Sequence, residues 1–118
     1  MPEGPEERAL ARSWMAFADD YFFPSIRGVR VAPQRGLPEE QIREAKEKLE
    51  DALSRLERQL EGKRYLMGAY TLADVAHAGN FRRLRELAED GDVPLHKYPN
   101  LVAWMERVEG RESYGASA

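Results

Sequence analysis

Cysteine is absent from these 118 residues. Disulfides, thiolate nucleophiles and thiolate metal sites are excluded with it, and the redox compartment leaves no mark on the composition. Long apolar runs are missing as well. No stretch approaches the ~20 residues that a membrane span needs. The opening, Met1-Pro2-Glu3-Gly4-Pro5-Glu6-Glu7, is acidic and has no apolar centre, so it does not read as a secretory leader. There is no excess of basic charge: the formal net charge is −3, with both signs interspersed. Phosphate binding needs a clustered basic face, so nucleic acid is not expected as a partner, and neither is a membrane. Histidine is scarce. The two residues, His77 and His96, have no metal-ligand spacing, and neither has a catalytic partner that the sequence can name. No metal site and no catalytic residue is therefore expected. Strand patterns, internal repeats and coiled-coil heptads do not occur. What remains is one cytosolic domain, 33% charged and long enough to build a core without staples.

The periodicity predicts an all-α bundle of four main helices. The first is expected from about Pro5 to about Gly28. Leu10, Trp14, Phe17, Ala18, Tyr21 and Phe22 form its apolar face, and Met15, Phe23 and Ile26 widen it. Pro24 falls inside and should kink or loosen it. Gly28 to Pro38 reads as a linker, broken by Pro33, Gly36 and Pro38. The second helix is expected from near Pro38 to Gly62, with Ile42, Ala45, Leu49, Ala52, Leu53, Leu56 and Leu60 as its stripe and Glu44–Lys48 as a supporting pair. The third should run from Thr71 to about Asp90. Its first half is almost wholly apolar, which predicts burial all round, with Gly79 admitting another helix. The fourth begins near Tyr98-Pro99 and should end at Gly110, leaving Arg111 to Ala118 as a tail.

Thr71 and Asp74 have the spacing of a helix N-cap and its N3 partner. The Thr71 hydroxyl is placed to accept the N3 backbone N–H, and the Asp74 carboxylate to reach back to the Thr71 N–H. Tyr70 and Val75 are spaced as a hydrophobic staple, and Gly68 suits a sharp reversal. Three pieces occur in order: Tyr65-Leu66-Met67-Gly68, Thr71-Leu72-Ala73-Asp74 and Tyr98-Pro99-Asn100-Leu101-Val102-Ala103-Trp104. With these gaps and the helices around them, the set resembles the C-terminal helical domain of the glutathione S-transferase superfamily. The resemblance runs from about Pro5 to about Tyr114. Even Pro2-Glu3-Gly4-Pro5-Glu6-Glu7-Arg8-Ala9 looks like the connection that comes after the thioredoxin-like domain. Arg111-Glu112-Ser113-Tyr114 departs from it, since relatives often carry Pro after the Arg.

The resemblance implies half of an enzyme. The thioredoxin-like domain, for which this chain has no βαβ pattern, holds the catalytic Tyr, Ser or Cys and most glutathione-binding groups. The helical domain supplies one wall of the second-substrate pocket. No catalytic residue and no cofactor is thus implied on this chain, and glutathione only where a thioredoxin-like domain is supplied. Two functions are compatible with this. One is a protein-binding or dimerisation module, catalytically incomplete alone. The other is a fragment or subunit of a glutathione transferase. The expected partner is a second copy or another protein, met through the first helix, because the aromatics from Trp14 to Phe23 look too many for one small bundle. The implied wall facing the companion domain comprises Arg12, Met15, Tyr21 and Phe22 with His77, Asn80 and Phe81. Met15, Phe22 and Phe81 are equally readable as ordinary core. Tyr21, Tyr65 and Tyr70 carry hydroxyls that a ligand or a local acceptor would use. The run Arg82-Arg83-Leu84-Arg85, interleaved with Glu86 and Glu89, reads as a solvated helix face.

Overall fold

Pro24 sets the shape of the first helix. It has no N–H to give the Asp20 carbonyl, and its ring would crowd that carbonyl in a regular α-helix. The computed structural model, which describes residues 4–117 without the side chains of 112–117, shows how the chain responds. Helix α1 (Pro5–Phe17) opens into one π turn (Ala18–Phe22) and resumes as α2 (Phe23–Gln34). In the wide turn Phe23 N–H reaches back five residues to the Ala18 carbonyl. Ser25 Oγ donates to the Tyr21 carbonyl at 2.5 Å. The three pieces form one interrupted rod of about 45 Å at 1.5 Å per residue, matching the molecule's longest extent of 47 Å.

The expected linker from Gly28 to Pro38 shrinks to residues 35–38, because the helix continues to Gln34. Val29 and Ala32 extend the stripe of Phe22 and Ile26, and their burial outweighs the poor helix propensity of Gly28 and Pro33. Gly28 faces Ala45: a Cβ there would lie 4.0 Å from the Ala45 Cβ, an ordinary contact. The stop comes at Gly36, with φ +68°. Leu37 N–H bonds the Ala32 carbonyl at 3.2 Å and Gly36 N–H the Pro33 carbonyl at 3.0 Å, which is a Schellman motif.

Helix α3 (Glu39–Gln59) buries Leu49, Ala52, Leu53 and Leu56. Its i, i+4 ion pair is Asp51–Arg55, while Lys48 lies over the Tyr21 ring at 5.7 Å. Gly62, at φ +72°, turns the chain beyond it. Helix α4 (Leu72–Glu89) starts from a capping box, and α5 runs Pro99–Ser117 after a 3-10 turn at Leu95–Lys97. The expected stop at Gly110 is overturned, since α5 continues through it. Arg111, beyond that glycine, lies over the Tyr70 ring at 4.0 Å and over Tyr65 at 6.0 Å, which ties the late turns down. Residues 1–3 of the expected opening and Ala118 of the expected tail lie outside the described residues.

α1 and α2 pack on α4, α2 also packs on α3, and α5 closes the bundle against α3 and α4. Trp104, Phe22, Phe81 and the α3 leucines fill the centre. Glu57 of α3 accepts the Asn100 and Leu101 N–H groups at 3.1 and 2.8 Å, so a carboxylate from a neighbouring helix caps α5.

One expectation about α4 fails. It is buried on one face only. Ala73, Asp74, His77, Asn80, Phe81, Leu84 and Leu87 point inward, whereas Leu72 is 67% exposed and Val75 36%. Among the described residues nothing lies within 4 Å of a Cβ built on Gly79, so none of them packs against it. Glycine costs about 1 kcal/mol against alanine in an exposed helix. Gly79→Ala should therefore stabilise the chain by about that much in urea unfolding. A loss of stability would show that another surface packs onto Gly79.

Candidate functional site

The inward face of α4 carries three polar side chains at i, i+3 and i+6, and each fastens a different part of the molecule. Asp74 is fully buried. Its Oδ2 accepts the Thr71 N–H at 2.9 Å, while Oδ1 accepts the Leu66 N–H at 3.0 Å and the Trp104 Nε1–H at 2.8 Å. One carboxylate thus joins the cap, the preceding loop and α5. Thr71 Oγ1 completes the box by accepting the Ala73 N–H at 3.2 Å. Asn80 Nδ2 donates to the Ala18 carbonyl at 3.2 Å, the same carbonyl that the π turn directs at Phe23.

His77 sits between these two. Its Nε2 lies 2.9 Å from the Trp14 carbonyl, an acceptor, so Nε2 carries the proton and Nδ1 is bare. Nδ1 has no hydrogen-bond partner among the described residues. Phe17, Phe22 and Trp104 surround the ring at centroid distances of 6.2, 5.7 and 5.5 Å. Burial pushes the imidazole down to about 4, against a smaller upward pull from the Trp14 hydrogen bond. No nucleophile or acid is offered to it, and among the described residues no three His, Asp or Glu side chains gather as a metal cluster.

The chain's apolar cleft lies elsewhere, between α1 and the first turn of α4. It encloses about 490 Å³. Ala11, Met15, Leu72 and Ala73 give it apolar walls, Arg8 and Arg12 stand at one side, and Tyr70 and Thr71 at the other. Tyr70 holds its ring 5.3 Å from Tyr65, under Arg111, while Val75 lies at the surface.

The wall implied by the sequence therefore divides. Arg12 and Met15 line the cleft. Phe22, His77, Asn80 and Phe81 are buried in the core, so they form no open wall in this chain. Tyr21 turns onto α3, where its hydroxyl donates to Asp51 Oδ2 at 2.9 Å and Arg55 lies over its ring at 5.3 Å. Burial and the Asp51 carboxylate both raise that hydroxyl's pKa. Arg8, Ala11, Arg12 and Met15 share one face of α1. At about 100° per residue Tyr21 falls opposite Arg12 even without the π turn, whereas Phe22, which a regular helix would keep near Met15, is carried into the core past the extra residue of that turn. Arg8 and Leu72 are cleft residues that sequence reasoning missed, and Tyr70, singled out for its hydroxyl alone, also lines the cleft. The 8–12–15 spacing, a second stripe beside the aromatic one, was the signal that could have found the first of them. Of the aromatics expected to reach a partner, Trp14, Phe17 and Tyr21 are partly buried against the core, and Phe23 is partly buried with Arg83 over its ring. The run from Arg82 to Arg85 is paired, Arg82 with Glu86 and Arg85 with Glu109.

Residues 14–112 match the family model described as glutathione S-transferase, C-terminal domain. Among curated proteins, the chain is 27% identical to glutathione S-transferase U7 of Arabidopsis thaliana, over 95% of this chain and 49% of that protein. It is 32% identical to glutathione S-transferase U28 of the same plant, over 99% of this chain and 52% of that one. Among solved structures, a glutathione S-transferase from Pichia kudriavzevii superposes with a TM-score of 0.79 at 21% identity, which bears on fold, over 97% of this chain and 55% of that one. One from Pseudomonas fluorescens superposes with a TM-score of 0.69 at 32% identity, over 92% and 55%. The chain spans about half the length of these relatives. It belongs to the glutathione S-transferase family, matching the C-terminal domain.

Proposed function

We propose that this chain is the second-substrate half of a glutathione transferase and works against a thioredoxin-like half. The observation that carries the reading is the uncovered apolar surface beside the cleft. Leu72 lines the cleft and is itself 67% exposed, and Val75 and Gly79 continue that face along α4. A monomer seldom leaves such a strip open beside an apolar pocket unless another surface covers it. Asp74, His77 and Asn80 each spend a hydrogen bond on holding the fold, which leaves the glutathione chemistry to the other half. Association with a further protein or a second copy is the companion reading, and the same α4 strip, rather than the aromatics of the first helix, favours it.

Calorimetry of the chain alone with glutathione should give no binding. The chain fused behind the thioredoxin-like half of a relative should bind glutathione and conjugate it to an aromatic halide. Micromolar glutathione binding by the chain alone, or a folded but inert fusion, would refute the proposal. Sedimentation of both samples reads the companion proposal. A chain that stays monomeric at every concentration, alone and fused, would dismiss association with a second copy.

A further inference from the structure

We infer that a second copy of this chain docks antiparallel across the last turns of α4, through a face whose charges complement themselves. Arg82, Arg83, Glu86, Glu89 and Asp90 share that face. At about 100° per residue, all of them lie within about 60° of Glu86 around the helix. They are also spaced evenly along it. Arg82 and Asp90 stand four residues to either side of Glu86, and Arg83 and Glu89 three. A two-fold axis at Glu86 therefore brings the arginine pair of each copy opposite the acidic pair of the other, which is the self-complementarity of an isologous contact. Arg82 lies about 15 Å along α4 from Leu72 at 1.5 Å per residue, so this face is separate from the cleft.

Within one copy these charges work against their own helix. Glu86, Glu89 and Asp90 crowd the C-terminal end of α4, where the helix dipole favours cations, and the last turn has no basic side chain. Among the described residues neither Glu89 nor Asp90 makes an ion pair. Arg83 makes none either, and its guanidinium donates to the Gly79 carbonyl at 2.9 Å. All four outer residues of the face are exposed, the Arg82 side chain at 91%. The second copy's arginine pair supplies the positive charge that the helix end lacks. Glu86, on the axis, meets its own image, but Arg30 at 2.6 Å and Arg82 at 3.5 Å already neutralise it. No like charge is then left unpaired at the centre of the contact.

Exposed ion pairs are individually weak and are screened by salt. Sedimentation at low salt should therefore show a weak dimer, with a Kd on the order of 100 µM. Raising salt to about 0.5 M should weaken it about tenfold. A charge swap tests the register. Arg82→Glu/Arg83→Glu makes the face wholly acidic, and Glu89→Arg/Asp90→Arg makes it acidic at Glu86 alone. Each variant, with helicity unchanged by circular dichroism, should be monomeric. Mixed in equal amounts, the two should form a heterodimer, because opposite charges again meet at every outer position. A wild-type chain that stays monomeric at low salt, variants that dimerise as the wild type does, or a mixture that stays monomeric overturns the inference. Leu72→Glu should leave the dimer unchanged. A dimer lost in Leu72→Glu but kept in both charge variants moves the contact to the cleft end of α4, which overturns this inference and leaves the companion reading standing.

Discussion

Replacing Asp74 with alanine should cost about 4 kcal/mol, close to the whole stability of a domain that has about 5–15 kcal/mol to lose. The size reflects the three donors that converge on this carboxylate. Without it, Leu66 N–H and Trp104 Nε1–H have no acceptor in a buried site, and the part-buried Thr71 N–H loses its own. A buried unsatisfied donor costs about 1–3 kcal/mol. The three also belong to different elements, so the loop before α4, its first turn and α5 loosen together. Asp74→Asn tests the assignment more finely. Its amide oxygen can still serve Leu66 and Trp104, but its NH2 then faces the Thr71 N–H, donor against donor. A loss of about 2 kcal/mol is expected, between Asp74→Ala and the loss of about 1 kcal/mol expected for removing the cap hydroxyl in Thr71→Ala. Urea midpoints followed by tryptophan fluorescence give the order. If Asp74→Ala costs no more than Thr71→Ala, the carboxylate is a cap and nothing further.

That difference between cap and anchor marks how far the sequence could be read. Thr71 and Asp74 are three residues apart, and their local spacing is enough to predict the box. Leu66 and Trp104 lie eight and thirty residues from Asp74, and no spacing rule links them. The same division holds elsewhere. The α3 stripe from Ile42 to Leu60 is a local period and matches the helix found. Gly28 and Pro33 are local breakers, and they mislead because the burial of Val29 and Ala32 against α3 is a tertiary effect that overrides propensity. Pro24 announces a defect but not its form. The π turn is held by Asn80, sixty-two residues from the carbonyl it binds. Once the helix gains a residue there, Phe22 cannot stay on the face that Arg12 and Met15 share. The apolar start of α4 misleads for another reason. Composition does not distinguish a face buried in this chain from an exposed one, and Leu72 and Val75 are exposed. The fold was thus readable where contacts are local. The cleft was half readable, since Arg12 and Met15 lie on a single helix, whereas Tyr70 and Leu72 join them through tertiary packing.

Acid should destabilise this chain earlier than its carboxylates alone would dictate, and His77 is the cause. Its imidazole has an ordinary value of 6.5 and is pushed down to about 4 by burial. Between those limits the unfolded chain binds the proton and the folded chain does not. Stability contributed by this group is therefore complete above about pH 7, falls as pH drops through 6.5, and levels off below about 4. The full loss is about 3 kcal/mol, with about 2 kcal/mol of it already gone at pH 5. The surroundings explain why the folded state refuses the proton. Trp14, Phe17 and Phe22 from the first rod and Trp104 from α5 enclose the ring, none of them charged. Asp74, one turn earlier on the same helix, has its oxygens committed to Leu66, Thr71 and Trp104. His77→Gln keeps a donor for the Trp14 carbonyl but removes the titration. The variant should begin less stable at pH 7, because a ring has left an aromatic cluster. Its stability should then decline much less between pH 6.5 and 4, so the two curves converge on acidification. Parallel curves, or a native His77 imidazole that titrates near 6.5 by NMR, would mean that the ring reaches water. The polar spine of α4 would then be open at its centre, and the coupling between cap, π turn and α5 would have to run through Asp74 and Asn80 alone.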